Sequence, residues 1–183
     1  SLWATSAMRT SGDDIAEVLS LLGVRPVWDA QSRRITGLEI IPLSELGRPR
    51  IDVTLRISGF FRDAFPAAIA LMDDAVQLVA DLPEDTADNY IRAHALLDEP
   101  GGSSGKNWRT ATTRIFGSRP GTYGAGVIQL MESGQWETTK DIAEVYTTWG
   151  GYAYGRNMAG IEARTAMQRN FARITLCLLY TSP

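Results

Sequence analysis

The chain has 183 residues, 44% hydrophobic and 21% charged, a size that fits one domain with a buried core. Eighteen Lys and Arg against 21 Asp and Glu give a net charge of −3, which removes the global positive field that nonspecific nucleic-acid or anionic-membrane binding relies on. No apolar run approaches the roughly 20 residues that cross a bilayer. Ser1 to Arg9 has neither the charged nor the apolar region of a signal peptide. The single cysteine, Cys177, excludes an internal disulfide and fits a reducing, cytoplasmic setting.

Ser11 to Asp14 offers an N-cap and first-turn carboxylates for a helix carrying Ile15, Val18, Leu19 and Leu22, and Gly23 supplies its stop. Val24 to Trp28 and Arg34 to Ile41 read as strands, joined by a turn at Asp29 to Ser32. Pro42 to Arg50 is a connector carrying Arg48 and Arg50. Ile51, Val53, Leu55 and Ile57 alternate with polar residues, which predicts a strand with one buried face. Ser58 to Asp63 reads as a Gly-bearing turn, followed by a helix with the stripe Phe65, Ile69, Met72, Val76 and Val79. A strand, a turn and a helix form the unit of α/β folds, whose ligands sit beyond the carboxyl ends of strands, so Gly59 to Asp63 is the first candidate surface.

Asn89 to Leu97 is predicted helical, and Glu99 to Gly105 forms a Gly/Ser-rich loop. Trp108 to Phe116 fits strand or helix equally. Gly117 to Gly126 is a Gly-rich turn leading into a short helix at Val127 to Met131. Thr138 and Asp141 form a capping pair for a helix with Ile142, Val145, Tyr146 and Trp149 on one face. Trp149 to Gly155 breaks that helix, and a last helix is expected from about Ile161 to Ile174. The reading is α/β, with strand-turn-helix units in the N-terminal half and a mostly helical C-terminal half. It divides into 1–98, a loop at 99–106, a continuation at 107–175, and a tail at 176–183. That tail abandons the preceding pattern and is expected to be artefactual, and the start at Ser1, without Met, reads as cut.

Chemical motifs are sparse. Gly105-Lys106 lacks the Ser or Thr and the opening Gly of a phosphate loop, and Gly121 to Gly126 has the wrong spacing for a dinucleotide fingerprint. One His and one Cys exclude a Cys/His zinc module. His94 could join Asp73, Asp74 or Asp98 around a metal, against the alternative of a structural histidine. Asp13-Asp14 and Asp73-Asp74 are adjacent pairs that point apart on a helix, which favours structural roles. Arginines cluster near turns at Arg9, Arg48, Arg50, Arg62, Arg114 and Arg119. Arg62-Asp63 could orient a carboxylate or phosphate, or simply tie down its own turn.

Longer words carry more. Thr5 to Val18, Glu45 to Val53, Ser58-Gly59-Phe60-Phe61-Arg62-Asp63, Ala111 to Gly117, Gly121-Thr122-Tyr123-Gly124-Ala125-Gly126 and Trp149 to Gly155 resemble the large subunits of the CobN/magnesium chelatase family. The resemblance runs from about Trp3 to Ile174. Met8 to Asp14 and Tyr123 to Gly126 look like the cobalt type, while Leu46 to Val53 and Gly59 to Asp63 are shared with the magnesium type.

The resemblance implies a piece of a longer, multidomain subunit. It implies ATP-dependent insertion of Co2+, the substrate metal, into hydrogenobyrinic acid a,c-diamide in cobalamin biosynthesis. The magnesium-type alternative would take protoporphyrin IX instead. ATP and Mg2+ would be used by a partner AAA+ motor subunit and its companion subunit, not bound here. A third alternative is a docking module for that motor which touches no ligand. Within these words, Arg9, Arg62, Asp63 and Tyr123 are the expected corrinoid contacts, and His94 is the weaker candidate for a metal contact. As His94 is the only imidazole, most metal-binding and proton-accepting residues are expected outside this stretch.

Overall fold

A computed structural model describes residues 1–179. The chain opens with helices α1 (Ala4–Thr10) and α2 (Asp13–Leu22), then the antiparallel hairpin of β1 (Val24–Trp28) and β2 (Ile35–Ile40), which is a separate two-stranded sheet. Gly23 ends α2 with φ 73°, as expected from its position, whereas the N-cap is Gly12 with no side-chain cap. A short helix, α3 (Leu43–Leu46), leads into the strand β3 (Leu55–Arg56) and two helices, α4 (Gly59–Ala64) and α5 (Pro66–Ala80). Next come α6 (Tyr90–Asp98), a 3-10 turn at Gly102–Ser104, α7 (Trp108–Ala111) and β4 (Ile115–Gly117). The chain continues through α8 (Val127–Ser133), α9 (Thr139–Gly150), β5 (Tyr152–Gly155), β6 (Met158–Glu162) and α10 (Arg164–Phe171).

The larger sheet has the order β3-β4-β5-β6, with β3 and β4 parallel and the other pairs antiparallel. Leu2 adds a parallel bridge beside Ile57: its N–H donates to Arg56 O at 2.8 Å and its carbonyl accepts from Ser58 N at 3.0 Å. Helix α5 lays Ile69, Met72, Ala75, Val76 and Val79 into the core with Leu22, Ile57, Phe61, Ile91 and Ile115. This is the stripe its spacing predicts, with Phe65 only partly buried at the start.

Four local expectations change. The alternating run from Ile51 buries Val53, Leu55 and Ile57, but only Leu55 and Arg56 enter the ladder. Its first half is taken by other partners: Ile51 N donates to Leu21 O at 3.0 Å, and Arg50 N donates to Asp88 O at 2.8 Å. Ser58 to Asp63 is the start of α4 rather than a turn, because Ser58 Oγ accepts from Phe61 N at 3.0 Å and caps the helix. Trp108 to Phe116 splits into α7 and β4. The last helix begins at Arg164, since Ile161 and Glu162 pair with Ala153 and Tyr152 across a tight turn in which Asn157 adopts φ 59°. Trp149 to Gly155 thus ends α9 and becomes β5, with Ala153 and Tyr154 buried.

The capping pair is as read: Asp141 Oδ2 accepts from Thr138 N at 2.8 Å at the start of α9. Helix α1 has no counterpart in the sequence reading. Of the expected tail, residues 180–183 lie outside the described residues.

Candidate functional site

The parallel segments Leu2, β3 and β4 all deliver their carboxyl ends to one edge. There α1 and α4 begin and the segment 118–126 departs. Arg62 organises this edge. Its Nε and Nη2 donate to Asp63 Oδ1 and Oδ2 at 2.6 and 2.8 Å. Its Nη1 reaches the carbonyls of Arg119 and Thr122, each at 3.0 Å. Tyr123 closes the arrangement, its hydroxyl donating to Asp63 Oδ2 at 2.7 Å and its ring lying 5.4 Å from the Arg62 guanidinium carbon. Hydrogen bonds from Arg62 and then Tyr123 hold the Asp63 carboxyl below its ordinary range, and the bond to Asp63 raises the Tyr123 phenol. A Cβ at Gly59 would lie 2.7 Å from Tyr123 Cδ1 and 2.8 Å from Thr122 O, so glycine is what lets the loop settle on α4.

Arg62, Asp63 and Tyr123, the expected corrinoid contacts, are thus in contact with one another. However, the guanidinium is buried and its hydrogen bonds go to its own chain. The same holds for other turn arginines. Arg48 donates to the carbonyls of Ser20 and Leu21, and Arg50 donates to those of Leu22, Gly23 and Ile41 and to both oxygens of Glu84. These forks satisfy main-chain acceptors at helix ends and turns, which caps and water otherwise serve. Arg9 and Arg119 are exposed, and their side chains make no hydrogen bond or ion pair among the described residues. Arg9 stands in the last turn of α1.

His94 lies at the other end of β3. Asp52 and Ser58 are six residue steps apart along the extended run, about 20 Å. On α6, His94 Nδ1 is 2.7 Å from Asp52 Oδ2, and Asp52 Oδ1 accepts from Arg114 Nε at 2.8 Å. Arg114 is fully buried and is itself fixed by the carbonyls of Ala111 and Thr113. The pairing of Arg50 with Asp88 and Tyr90 draws the extended segment against the start of α6, and this puts Asp52 beside His94. Burial alone would push the Asp52 carboxyl up, but Arg114 and the hydrogen bond from His94 hold it below its ordinary range.

This cluster borders a cavity of about 550 Å³ between α2, the extended run, α6 and the segment after α10. Its lining includes Asp14, Asp52, Arg56, His94, Tyr146 and Asn170, with residues 174–178 along one side. That volume is in the range of small-molecule sites. Burial raises the Asp14 carboxyl, and its Oδ2 is buried without a partner. The Arg56 guanidinium lies 5.5 Å from the Tyr146 ring centre. Among the described residues, no three His, Cys, Asp or Glu converge as a metal site. Asp73 and Asp74 are engaged by Arg109 and Arg156, in keeping with their structural reading.

Sequence reasoning passed over Asp52, which looked like the polar face of a strand, and Asp14, which looked like a helix-dipole carboxylate. The available signal was the position of Asp52 two residues from Arg50, near the end of a family word.

The profile of the CobN/Magnesium Chelatase family matches residues 1–182. The chain belongs to the CobN/magnesium chelatase family. It is 50% identical to the aerobic cobaltochelatase subunit CobN of Sinorhizobium sp over 177 residues, covering 94% of this chain and 14% of that protein. It is also 50% identical to that subunit from Pseudomonas aeruginosa, over 97% of this chain and 15% of the relative. The catalytic subunit of cobaltochelatase from Mycobacterium tuberculosis superposes with a TM-score of 0.89 at 61% identity, covering 94% of this chain and 14% of that one. A chloroplastic magnesium-chelatase subunit ChlH of Oryza sativa is 38% identical over 89% of this chain and 12% of that protein. Family members of this kind are thus about seven times longer than the present chain.

Proposed function

We propose that this chain is a wall of the large subunit of a cobaltochelatase, which binds hydrogenobyrinic acid a,c-diamide and Co2+ as substrates for ATP-driven metal insertion in the cytoplasm. The observation that carries the cobalt type is the difference in identity, 50% to 61% for cobaltochelatase subunits against 38% for a magnesium-chelatase subunit. ATP and Mg2+ would act on a partner AAA+ motor and its companion subunit. That division agrees with the lack of any phosphate-loop spacing in this sequence.

The cavity beside Asp52 and His94 is the part of this chain we assign to the macrocycle. Insertion requires that the cation lose water, that a ring nitrogen lose its proton, and that the ring distort. A walled space with an oriented imidazole beside it serves the second need. The Arg62, Asp63 and Tyr123 cluster holds the loop 118–123 at the other end of β3 from this cavity. The test uses the full-length large subunit and tryptophan quenching. The corrinoid should bind at least tenfold more tightly than protoporphyrin IX. The reverse preference would assign the chain to the magnesium type.

A further inference from the structure

We propose that His94 is the base that takes the proton from a macrocycle nitrogen as the metal enters, with Asp52 and Arg114 as positioning residues. The proposal rests on the chelatase reading above and adds a residue and an atom to it.

Asp52 is held ionised by Arg114 and by its bond to His94, so it accepts and cannot donate. The contact at 2.7 Å therefore places the imidazole hydrogen on Nδ1. The lone pair is then on Nε2, and no residue among those described engages that atom. A carboxylate on one ring nitrogen fixes the tautomer and orientation of a histidine, the same logic that orients catalytic and metal-bound histidines. Every element behind the ring is anchored. Arg114 is fixed by two carbonyls, and α6 is capped by Asn89, whose Oδ1 accepts from Arg92 N at 2.9 Å. The His94 side chain is 28% exposed against 11% for Asp52, so the imidazole keeps an opening while its partner is sequestered.

A fully buried structural histidine would have both nitrogens engaged. Here one is held by a buried carboxylate–guanidinium pair, and the residue lines the 550 Å³ cavity. Asp14 and Glu17 from α2, Arg56 from the extended run and Arg173 after α10 share that cavity.

The ring N–H bond breaks and its electron pair stays on nitrogen to form the bond to Co2+. The proton passes to His94 Nε2, giving an imidazolium paired with Asp52, and leaves later to solvent.

The experiment uses the assembled chelatase with the full-length large subunit. His94→Asn keeps an amide N–H toward Asp52 but has no base, and His94→Gly leaves room for added imidazole. For His94→Asn, kcat should fall about 100-fold, the usual worth of a positioned general base, with corrinoid affinity by quenching unchanged. Added imidazole should restore His94→Gly at least tenfold and do nothing for His94→Asn. Unchanged kcat in His94→Asn, or a parallel loss of corrinoid affinity with no rescue by imidazole, would overturn the proposal. Failure of the unmodified subunit to bind any corrinoid would instead overturn the chelatase reading itself.

Discussion

Arginine is the residue that decides most about this chain. Four of the six turn arginines act as multi-pronged staples for main-chain carbonyls, and Arg50 and Arg114 do so without any exposed side-chain surface. Removing one partner of a buried pair leaves the other charge uncompensated. Arg114→Met in the full-length subunit should therefore lower stability by about 3 kcal/mol in urea denaturation, and a loss below about 1 kcal/mol would show that Asp52 re-pairs elsewhere.

Two of the carboxylates at the cavity, Asp52 and Asp14, are shifted in opposite directions. Asp52 has its folded-state value depressed, so its contribution is present above the unfolded value near 4 and is lost as pH falls through the folded one. Asp14 is raised by burial, so its ionised form costs stability at neutral pH. Asp14→Asn keeps an acceptor for Ile15 N and should raise the melting temperature at pH 7. A lower melting temperature would show that Asp14 Oδ2 meets a cation in the full-length subunit.

At the scale of elements, the strand-to-helix transition at Ile57 to Ala64 does the positioning. Its address at a carboxyl strand end was legible because a period-two run meets glycine and then an apolar helix. Its conformation was not, because Ser58 as an N-cap and Ser58 in a turn look alike until the N–H of Phe61 is placed. The Tyr123 loop depends on close approach to α4. Gly59→Ala should cost about 1 to 3 kcal/mol and expose Tyr123 to faster proteolytic cleavage of the loop, through overpacking against Thr122 and Tyr123. Stability and cleavage unchanged from the parent would mean that the loop is held by Arg62 alone.

Other elements were hidden for identifiable reasons. The β5–β6 hairpin has a two-residue turn, Arg156-Asn157, with no glycine at the positive-φ position, so Ile161 and Glu162 looked like the first turn of a helix. The long-range pairs that build the cavity were invisible for a different reason. His94 and Asp52 are 42 residues apart, and no local pattern links them. The arginines near turns were visible, but whether a guanidinium faces a ligand or its own carbonyls depends on tertiary placement.

For the molecule as a whole, the candidate residues split between two ends of one strand. Arg62, Asp63 and Tyr123 serve the carboxyl edge, while Asp52, His94 and Arg114 serve the cavity at the amino end. The proposed function places the macrocycle at the cavity. Hydrogen exchange on the full-length subunit, with and without hydrogenobyrinic acid a,c-diamide, tests that placement most directly. Exchange should slow in residues 51–56 and 90–98 on adding the corrinoid, with residues 118–126 unaffected. Protection confined to 58–63 and 118–126 would contradict it and return the ligand to the Arg62 edge.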